Sequence, residues 1–458
     1  MQKSPTKSIW SSVARSLLAG VDTGTTSAKA LLLTPQGEEL AVGRAPTVWT
    51  PAAFGEETTG GHLLEVALAA LADALRKCPG DRVVAVGVAS MGESGILADG
   101  ADTPLAPVIA WHDHRDESQL RALREDIGGA RFSRRTGLPL WTQWSLTKHR
   151  WLREHVPATA SARRRYSVAE WIVRGLGGDQ ASELSLASRT GWLDLHTARP
   201  WTETLAWSGA SESLLANLVP AGTPIGRARA GGPLAALDGA VLTVAGHDHQ
   251  AAAVGLGCHA PGDEFDSCGT AEAILRTAAP GLAEDVVESL TGQGVTVGWN
   301  AVRDRWCLLG ATQGGLILGK VMTVLGVGRD GLADLDRAAE RAADVPGAVT
   351  LGPGAGDVTV DPAAAPGDVW RAATRAVSAQ AAGLSDVLSR ASGARTGLVV
   401  AGGWTHSSAL MAAKAEAVGS LRRATTEEAG CRGAALLAGL AAGLYSGFTD
   451  MPTAATAA

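Results

Sequence analysis

The chain has little cysteine. Its five cysteines, Cys78, Cys258, Cys268, Cys307 and Cys431, are odd in number, scattered, and never arranged as Cys-x-x-Cys. This excludes a disulfide framework, supplies no zinc-ligand spacing and fits a reducing cytoplasm. Long apolar runs are also missing. No stretch reaches the roughly 18 uninterrupted apolar residues of a membrane span, and Lys3 and Lys7 are followed by no apolar segment of signal-peptide length before Gly20. Residues 1–16 read as a tail, and no membrane partner is expected. Excess positive charge is absent as well. With a net charge of −6, no basic surface for nucleic acid is implied, and an anionic nucleotide would need local positive groups or a metal ion.

The composition that remains is that of a packed chain. Apolar residues make up 46% and charged residues 19%, enough to exclude a disordered majority. The length predicts two domains of about 200 residues each. Glycine is abundant at 57 residues, which favours tight turns and close backbone approaches.

Residues 17–21 are apolar, 23–27 small and polar, and 30–33 apolar again, which predicts a β-hairpin. Its turn carries Asp22, Gly24, Thr25, Thr26 and Lys29. Buried strands are expected at 83–88 and 241–245, each ending in polar residues where chemistry is expected. Helices are expected near 62–76, 116–127 and 146–155. The hairpin pattern returns at 264–275 around Gly269 and Thr270, so two acid-plus-Gly-Thr turns predict a duplicated architecture with one phosphate loop per half. Further on, helical spacing covers 369–388 with an interruption at Gly383, a strand covers 398–401, and helices follow at 407–418 and 429–444. Residues 345–368, rich in Gly, Pro and Ala, read as a surface excursion or lid. The boundary is expected near Ala245, giving halves at 17–245 and 246–458.

Three constellations carry chemistry. In Asp22-Thr23-Gly24-Thr25-Thr26-Ser27-Ala28-Lys29, small residues let backbone N–H groups converge on phosphate, Lys29 adds charge, and Asp22 can hold Mg²⁺ through water. A polar hairpin with a threonine cluster accounts for the same residues. In Gly246-His247-Asp248-His249-Gln250, directly after a strand, Asp248 can accept a hydroxyl proton during phosphoryl transfer; it can equally cap the helix expected near Gln250. In the third, Ser90-Met91-Gly92-Glu93 lies with Trp111, Asp113 and Arg115, carboxylates for diols and an indole face for a sugar ring. Core packing accounts for Trp111 as well.

The triplet His112-Asp113-His114 matches His247-Asp248-His249. On a strand, His112 and His114 would share a face, so a metal-dependent hydrolase built on both triplets is an alternative. Solvated or sugar-contacting histidines are the other reading.

Taken in order, these motifs resemble the FGGY family of carbohydrate kinases, within the actin, hexokinase and Hsp70 superfamily. The resemblance runs from about Leu18 to Gly443. It rests on Asp22 to Lys29, Trp111-x-Asp113-x-Arg115, Lys148-x-x-Trp151, the segment from Asp179 to Asp194 with Ala187-Ser188-Arg189-Thr190-Gly191, Gly246-His247-Asp248, Ser267-Cys268-Gly269-Thr270, Ala401-Gly402-Gly403 to Ser407, then Glu428 and Gly433-Ala434-Ala435.

The resemblance implies an α/β fold of two RNase-H-like domains around a central cleft, and ATP- and Mg²⁺-dependent phosphorylation of a small sugar or polyol. By carry-over, Asp248 is the catalytic base and Asp22 with Asp248 would organise Mg²⁺. Gly24, Thr25, Thr26, Lys29, Gly269, Thr270, Gly310, Gly314, Gly402, Gly403 and Ser407 would meet ATP, and Glu93, Trp111, Asp113, His247, Asp248 and His249 would meet the sugar. Family members acting on glycerol carry an arginine at the position of Gly92, which argues against glycerol, whereas Met91 is similar to xylulokinase-like members. Leu351 to Asp357 stands where many sugar kinases have Gly-Glu-Arg-x-Pro. A homodimer stays open, and a non-catalytic sugar or nucleotide sensor is the remaining alternative.

Overall fold

The computed structural model describes residues 14–352 and 357–457. The first hairpin forms as expected, from β1 (Ser16–Thr23) and β2 (Ser27–Leu33), with Asp22 directly opposite Lys29. β3 (Glu39–Pro46) pairs antiparallel with β2, and β4 (Arg82–Ser90) and β5 (Val241–His247) add in parallel on the far side of β1. The order is β5-β4-β1-β2-β3. β1 and β4 are central and covered on both faces, which explains why both read as near-continuous apolar runs.

The second hairpin, β6 (Asp263–Cys268) and β7 (Glu272–Ala278), repeats the plan. β8 (Thr296–Trp299) lies outside β9 (Trp306–Thr312), which pairs antiparallel with β7, while β10 (Gly397–Ala401) and β11 (Arg422–Ala424) add in parallel beyond β6. With β12 (Thr456–Ala457) at the other edge, the order is β8-β9-β7-β6-β10-β11-β12. The same five-strand plan therefore occurs twice, an α/β architecture of two RNase-H-like halves.

Helices cover the sheets. α1 (Gly60–Arg76) starts at a Thr59 cap that accepts from His62 N at 3.0 Å, and buries Leu63, Val66, Ala67, Ala70, Leu71 and Ala74. The short helix α2 (Leu184–Ala187) precedes β5, and α3 (Asp248–Gly255) follows it. α4 (Gly314–Val324), α5 (Pro366–Ser392), α6 (Ser408–Val418) and α7 (Ala429–Ala441) belong to the second part of the chain. Two expectations fail here. α5 runs straight through Gly383, where an added Cβ would meet nothing; one exposed glycine costs a helix about 1 kcal/mol, which the burial of Val369, Trp370, Ala373, Val377, Ala381 and Leu388 outweighs. The stretch 345–368 is no lid across its described residues: Val349–Leu351 and Val358–Val360 pair antiparallel, and their apolar side chains pack on the cluster around Val369 and Trp370. Residues 353–356 lie outside the described residues, as does all but the end of the expected tail. Among the described residues, no helix is long and apolar enough to cross a membrane.

α7 returns to the first sheet, where Cys431, Ala434, Leu437 and Ala438 pack with Leu18, Leu31, Ala85 and Ala245. Missing side chains make this approach possible. A Cβ on Gly20 would lie 1.8 Å from Cys431 O, and one on Gly433 would lie 1.7 Å from Ala251 O of α3. Both obstacles are backbone, so a methyl group can be admitted only if helices move. Gly433→Ala should cost about 1–3 kcal/mol, read as a lower urea midpoint. An unchanged midpoint would contradict this contact.

Candidate active site

β5 ends at a turn held from behind. Gly246 has φ +91°, a conformation that L side chains rarely adopt, and a Cβ there would lie 2.5 Å from Ser185 Oγ. Ser185 Oγ accepts from His247 N at 3.1 Å and donates to Glu183 Oε2 at 2.5 Å. So fixed, the chain enters α3 with Asp248 as its first residue. No side chain caps this helix; the capping reading of Asp248 is set aside. Instead, Asp248 Oδ1 accepts from His249 N at 2.6 Å, and lies 2.8 Å from His249 Nδ1 and 3.1 Å from His247 Nδ1. Among the described residues, no donor reaches Oδ2, and the side chain keeps 22% of its exposure. Burial works against its charge, but the imidazoles of His247 and His249 and the bonds from His249 outweigh it, so the carboxyl is held below the usual range. Burial pushes His247 down to about 3, whereas Asp248 outweighs burial at His249 and raises it.

Asp22 ends β1. Its Oδ1 is buried without a hydrogen-bond partner, and its Oδ2 abuts Gly430 in the first turn of α7, where a Cβ would lie 2.5 Å away. Burial, and next the charge of Asp248, push Asp22 up to about 7 against the pull of Lys29. Two carboxylates that feel each other, one with an orphaned oxygen and the other with an open one, are a hard-oxygen donor set. They fit Mg²⁺, which takes one or two carboxylates and completes its shell with water and phosphate.

Lys29 does not stand free over the first turn. Its Nζ lies 2.8 Å from Glu428 Oε2, and Glu428 Oε1 accepts from Arg44 Nη2 at 2.6 Å. Gly24 and Thr25 are half-buried in this turn, and Thr26 is exposed. Trp111 Nε1 donates to Thr25 Oγ1 at 2.9 Å, so the indole belongs to the turn.

The second turn is walled by two glycines. A Cβ on Gly315 in α4 would lie 2.0 Å from Gly269 O, and one on Gly402, at φ +111°, would lie 2.6 Å from Cys268 O. Gly269, Thr270, Gly314 and Gly402 are thus brought together, with Gly314 beside Glu272. A cavity of about 610 Å³ opens at Gly402, Gly403, His406, Arg423, Thr426 and Glu428, a size that suits a nucleotide.

Two of the residues expected to meet ATP pack against other parts of the protein. Gly310 sits inside β9, where a Cβ would strike Leu384 of α5 at 2.8 Å. Ser407 is fully buried; its Oγ donates to Asp336 Oδ1 at 2.7 Å and accepts from Leu410 N at 3.1 Å as the cap of α6.

On the acceptor side, Glu93 takes a left-handed φ of 63°. Its Oε1 accepts from Arg189 Nε and, at 3.1 Å, from Gln143 Nε2. Asp113 is not available to a sugar. Its fully buried carboxylate is taken up by Arg115 and by Glu56 N at 2.8 Å. Nor is the first triplet on a strand. Val108–Ile109 is a strand, and beyond it the chain turns, sending His112 to Glu56 at 2.9 Å and His114 to Thr142 at 2.7 Å. Only the second triplet brings its ligand atoms within 4.8 Å of one another, so a hydrolase built on both triplets has no site.

Sequence reasoning gave no role to the ion cluster under the second turn. Lys414 Nζ of α6 bridges Asp266 of β6 and Glu272 of β7, all three side chains being at most 4% exposed. The two carboxylates hold Lys414 protonated.

The model of the FGGY family of carbohydrate kinases, N-terminal domain, matches residues 17–255. A xylulose kinase of Streptomyces rubiginosus is 30% identical over 323 residues, 69% of this chain; the aligned stretch spans 64% of that relative's length. A glycerol kinase of Janthinobacterium sp. (strain Marseille) is 28% identical over 93% of this chain and 90% of its own. Among solved structures, a xylulose kinase from Brucella ovis superposes with a TM-score of 0.85 at 22% identity, covering 96% of this chain and 94% of that one, and a Plasmodium falciparum glycerol kinase with ADP superposes at 0.84 and 16% identity over 96% and 93%. At these identities the superpositions speak for the fold, while the family model covers more than half of the residues, and on that ground this chain belongs to the FGGY family of carbohydrate kinases.

Proposed function

We propose that the protein transfers the γ-phosphoryl group of ATP to a hydroxyl of a small sugar or polyol. The observation that carries this reading is Asp248: an ionised carboxylate at a strand end, with one oxygen anchored by its histidine neighbours and the other open, set within electrostatic reach of Asp22. In the reaction the acceptor oxygen attacks γ-phosphorus, the bond to the β–γ bridging oxygen breaks, ADP leaves, and Asp248 Oδ2 takes the hydroxyl proton. Asp22 and, through water, Asp248 would hold Mg²⁺, which when bound supplies neutralisation of phosphate charge and would leave Asp248 Oδ2 free for the proton. Gly269, Thr270 and the N-terminus of α4 would face the phosphates, Gly402 and Gly403 the adenosine, and Glu93, Trp111, His247 and His249 the acceptor. Lys29 would exchange Glu428 for phosphate.

The acceptor leans toward xylulose rather than glycerol. The names above do not decide this, since two of the similar proteins are xylulose kinases and two are glycerol kinases; what supports the lean is that the space beside Gly92 is filled, a Cβ there lying 3.0 Å from His247 and 3.1 Å from Arg189. The five cysteines are unpaired and buried, which suits a reducing compartment such as the cytoplasm. An ADP-release screen over ketopentoses, ketohexoses, aldonates and polyols should find one class that raises ADP production well above the acceptor-free rate. Equal rates with and without every acceptor would reject the reading.

A further inference from the structure

Glu93 is a deeply buried carboxylate, its side chain 3% exposed, and burying such a group is costly unless a cation and hydrogen-bond donors meet it. Among the described residues that cation is Arg189. Lys148 is committed to Asp116 and to the main-chain oxygens of Asp113 and Thr142. Arg165 donates to Ser145 Oγ at 2.8 Å and reaches the main-chain oxygen of Glu93, not its carboxylate. Arg189 and Gln143 both bond to Oε1, which among the described residues leaves Oε2 without a donor. The arrangement copies Asp248, with one oxygen held and one open.

The rest of Arg189 reaches further. Its Nη1 lies 3.4 Å from Thr296 Oγ1 on β8, and the preceding Ser188 Oγ accepts from Trp299 N of the same strand at 3.0 Å. Its stem borders Gly92 next to His247, and its guanidinium lies 5.4 Å from the ring centre of the buried Trp144. The same short segment holds the catalytic turn through Ser185 and His247 N. One guanidinium therefore touches a wall of the acceptor site and the edge strand of the second sheet.

We propose that Arg189 is a positioning residue that holds the Glu93 carboxylate aimed at an acceptor hydroxyl, and that links acceptor recognition to the placement of β8. The proposal rests on the phosphotransfer reading. Without Arg189, Glu93 would lose its ion-pair partner and turn away, and acceptor binding would weaken while nucleotide binding would not.

The test compares Arg189→Met, Arg189→Lys, Glu93→Gln and the Arg189→Met/Glu93→Gln double variant, with D-xylulose, D-gluconate and glycerol as acceptors. Arg189→Met should raise the acceptor KM at least about tenfold, with the KM for ATP within about twofold of the parent. Arg189→Lys should recover part of the loss, and adding Glu93→Gln to Arg189→Met should cost little more, because the two act as a unit. An unchanged acceptor KM in Arg189→Met, a parallel rise in both KM values without rescue by lysine, or fully multiplicative losses in the double variant would overturn the proposal. If the parent phosphorylates none of the three, the phosphotransfer reading is what that result challenges. The link to β8 is then read from hydrogen exchange at the Trp299 amide, which should quicken in Arg189→Met; unaltered exchange there would overturn the link.

Discussion

Asp248→Asn should lower acceptor-dependent ADP release by about 10²–10⁴-fold while the protein still binds a non-hydrolysable ATP analogue. The amide keeps the shape of the side chain and can still meet the ring of His249, but it can no longer accept a proton, and it removes the negative charge that favours the cationic form of His249. It also relieves Asp22, whose carboxyl is raised partly by the charge of Asp248. Nucleotide affinity should therefore survive better than turnover. Steady-state kinetics and calorimetry on the same sample check both halves, and near-parental turnover would eliminate Asp248 as the base.

Lys414→Met should be strongly destabilising, at about 3–5 kcal/mol. Lys414 is 1% exposed on its side chain and lies between Asp266 and Glu272, which are 3% and 4% exposed. Removing the ammonium leaves two buried carboxylates facing each other without a cation, at the base of the hairpin that carries Gly269 and Thr270. Out of a typical total stability of about 5–15 kcal/mol, that loss should appear as a large drop in urea midpoint. Adding Asp266→Asn to Lys414→Met should recover part of it by removing one of the two charges. Failure of the second change to restore any stability would show that the loss comes from packing rather than from uncompensated charge.

The parts of the fold that were legible in the sequence are those set by local pattern. Both hairpins, the strands at β4, β5 and β10 and the helices α1 and α6 follow from apolar periodicity and turn chemistry within a few residues. Gly383 misled because a glycine inside a helical pattern looks like a break, whereas α5 is held by tertiary packing along its length. The ion pairs of the site were not legible. Arg189 meets Glu93 across 96 positions, and Lys414 meets Asp266 across 148; no spacing rule reaches that far. The direction of the Ser407 side chain was not legible, because a motif fixes a position along the chain and not the aim of a side chain; a serine ahead of a helix caps it by preference, and that is what Ser407 does. The neighbour of Gly310 was hidden for the same reason, its missing side chain making room for Leu384. Asp113 looked like a free carboxylate only until Arg115, two residues on, was seen to fold back on it.

The central claim is that the γ-phosphoryl group passes to an acceptor hydroxyl and not to water. ³¹P NMR of the protein with ATP, Mg²⁺ and the best acceptor from the ADP-release screen reads this directly. A new phosphomonoester resonance growing in step with ADP is the predicted result; ADP accompanied only by inorganic phosphate would contradict it.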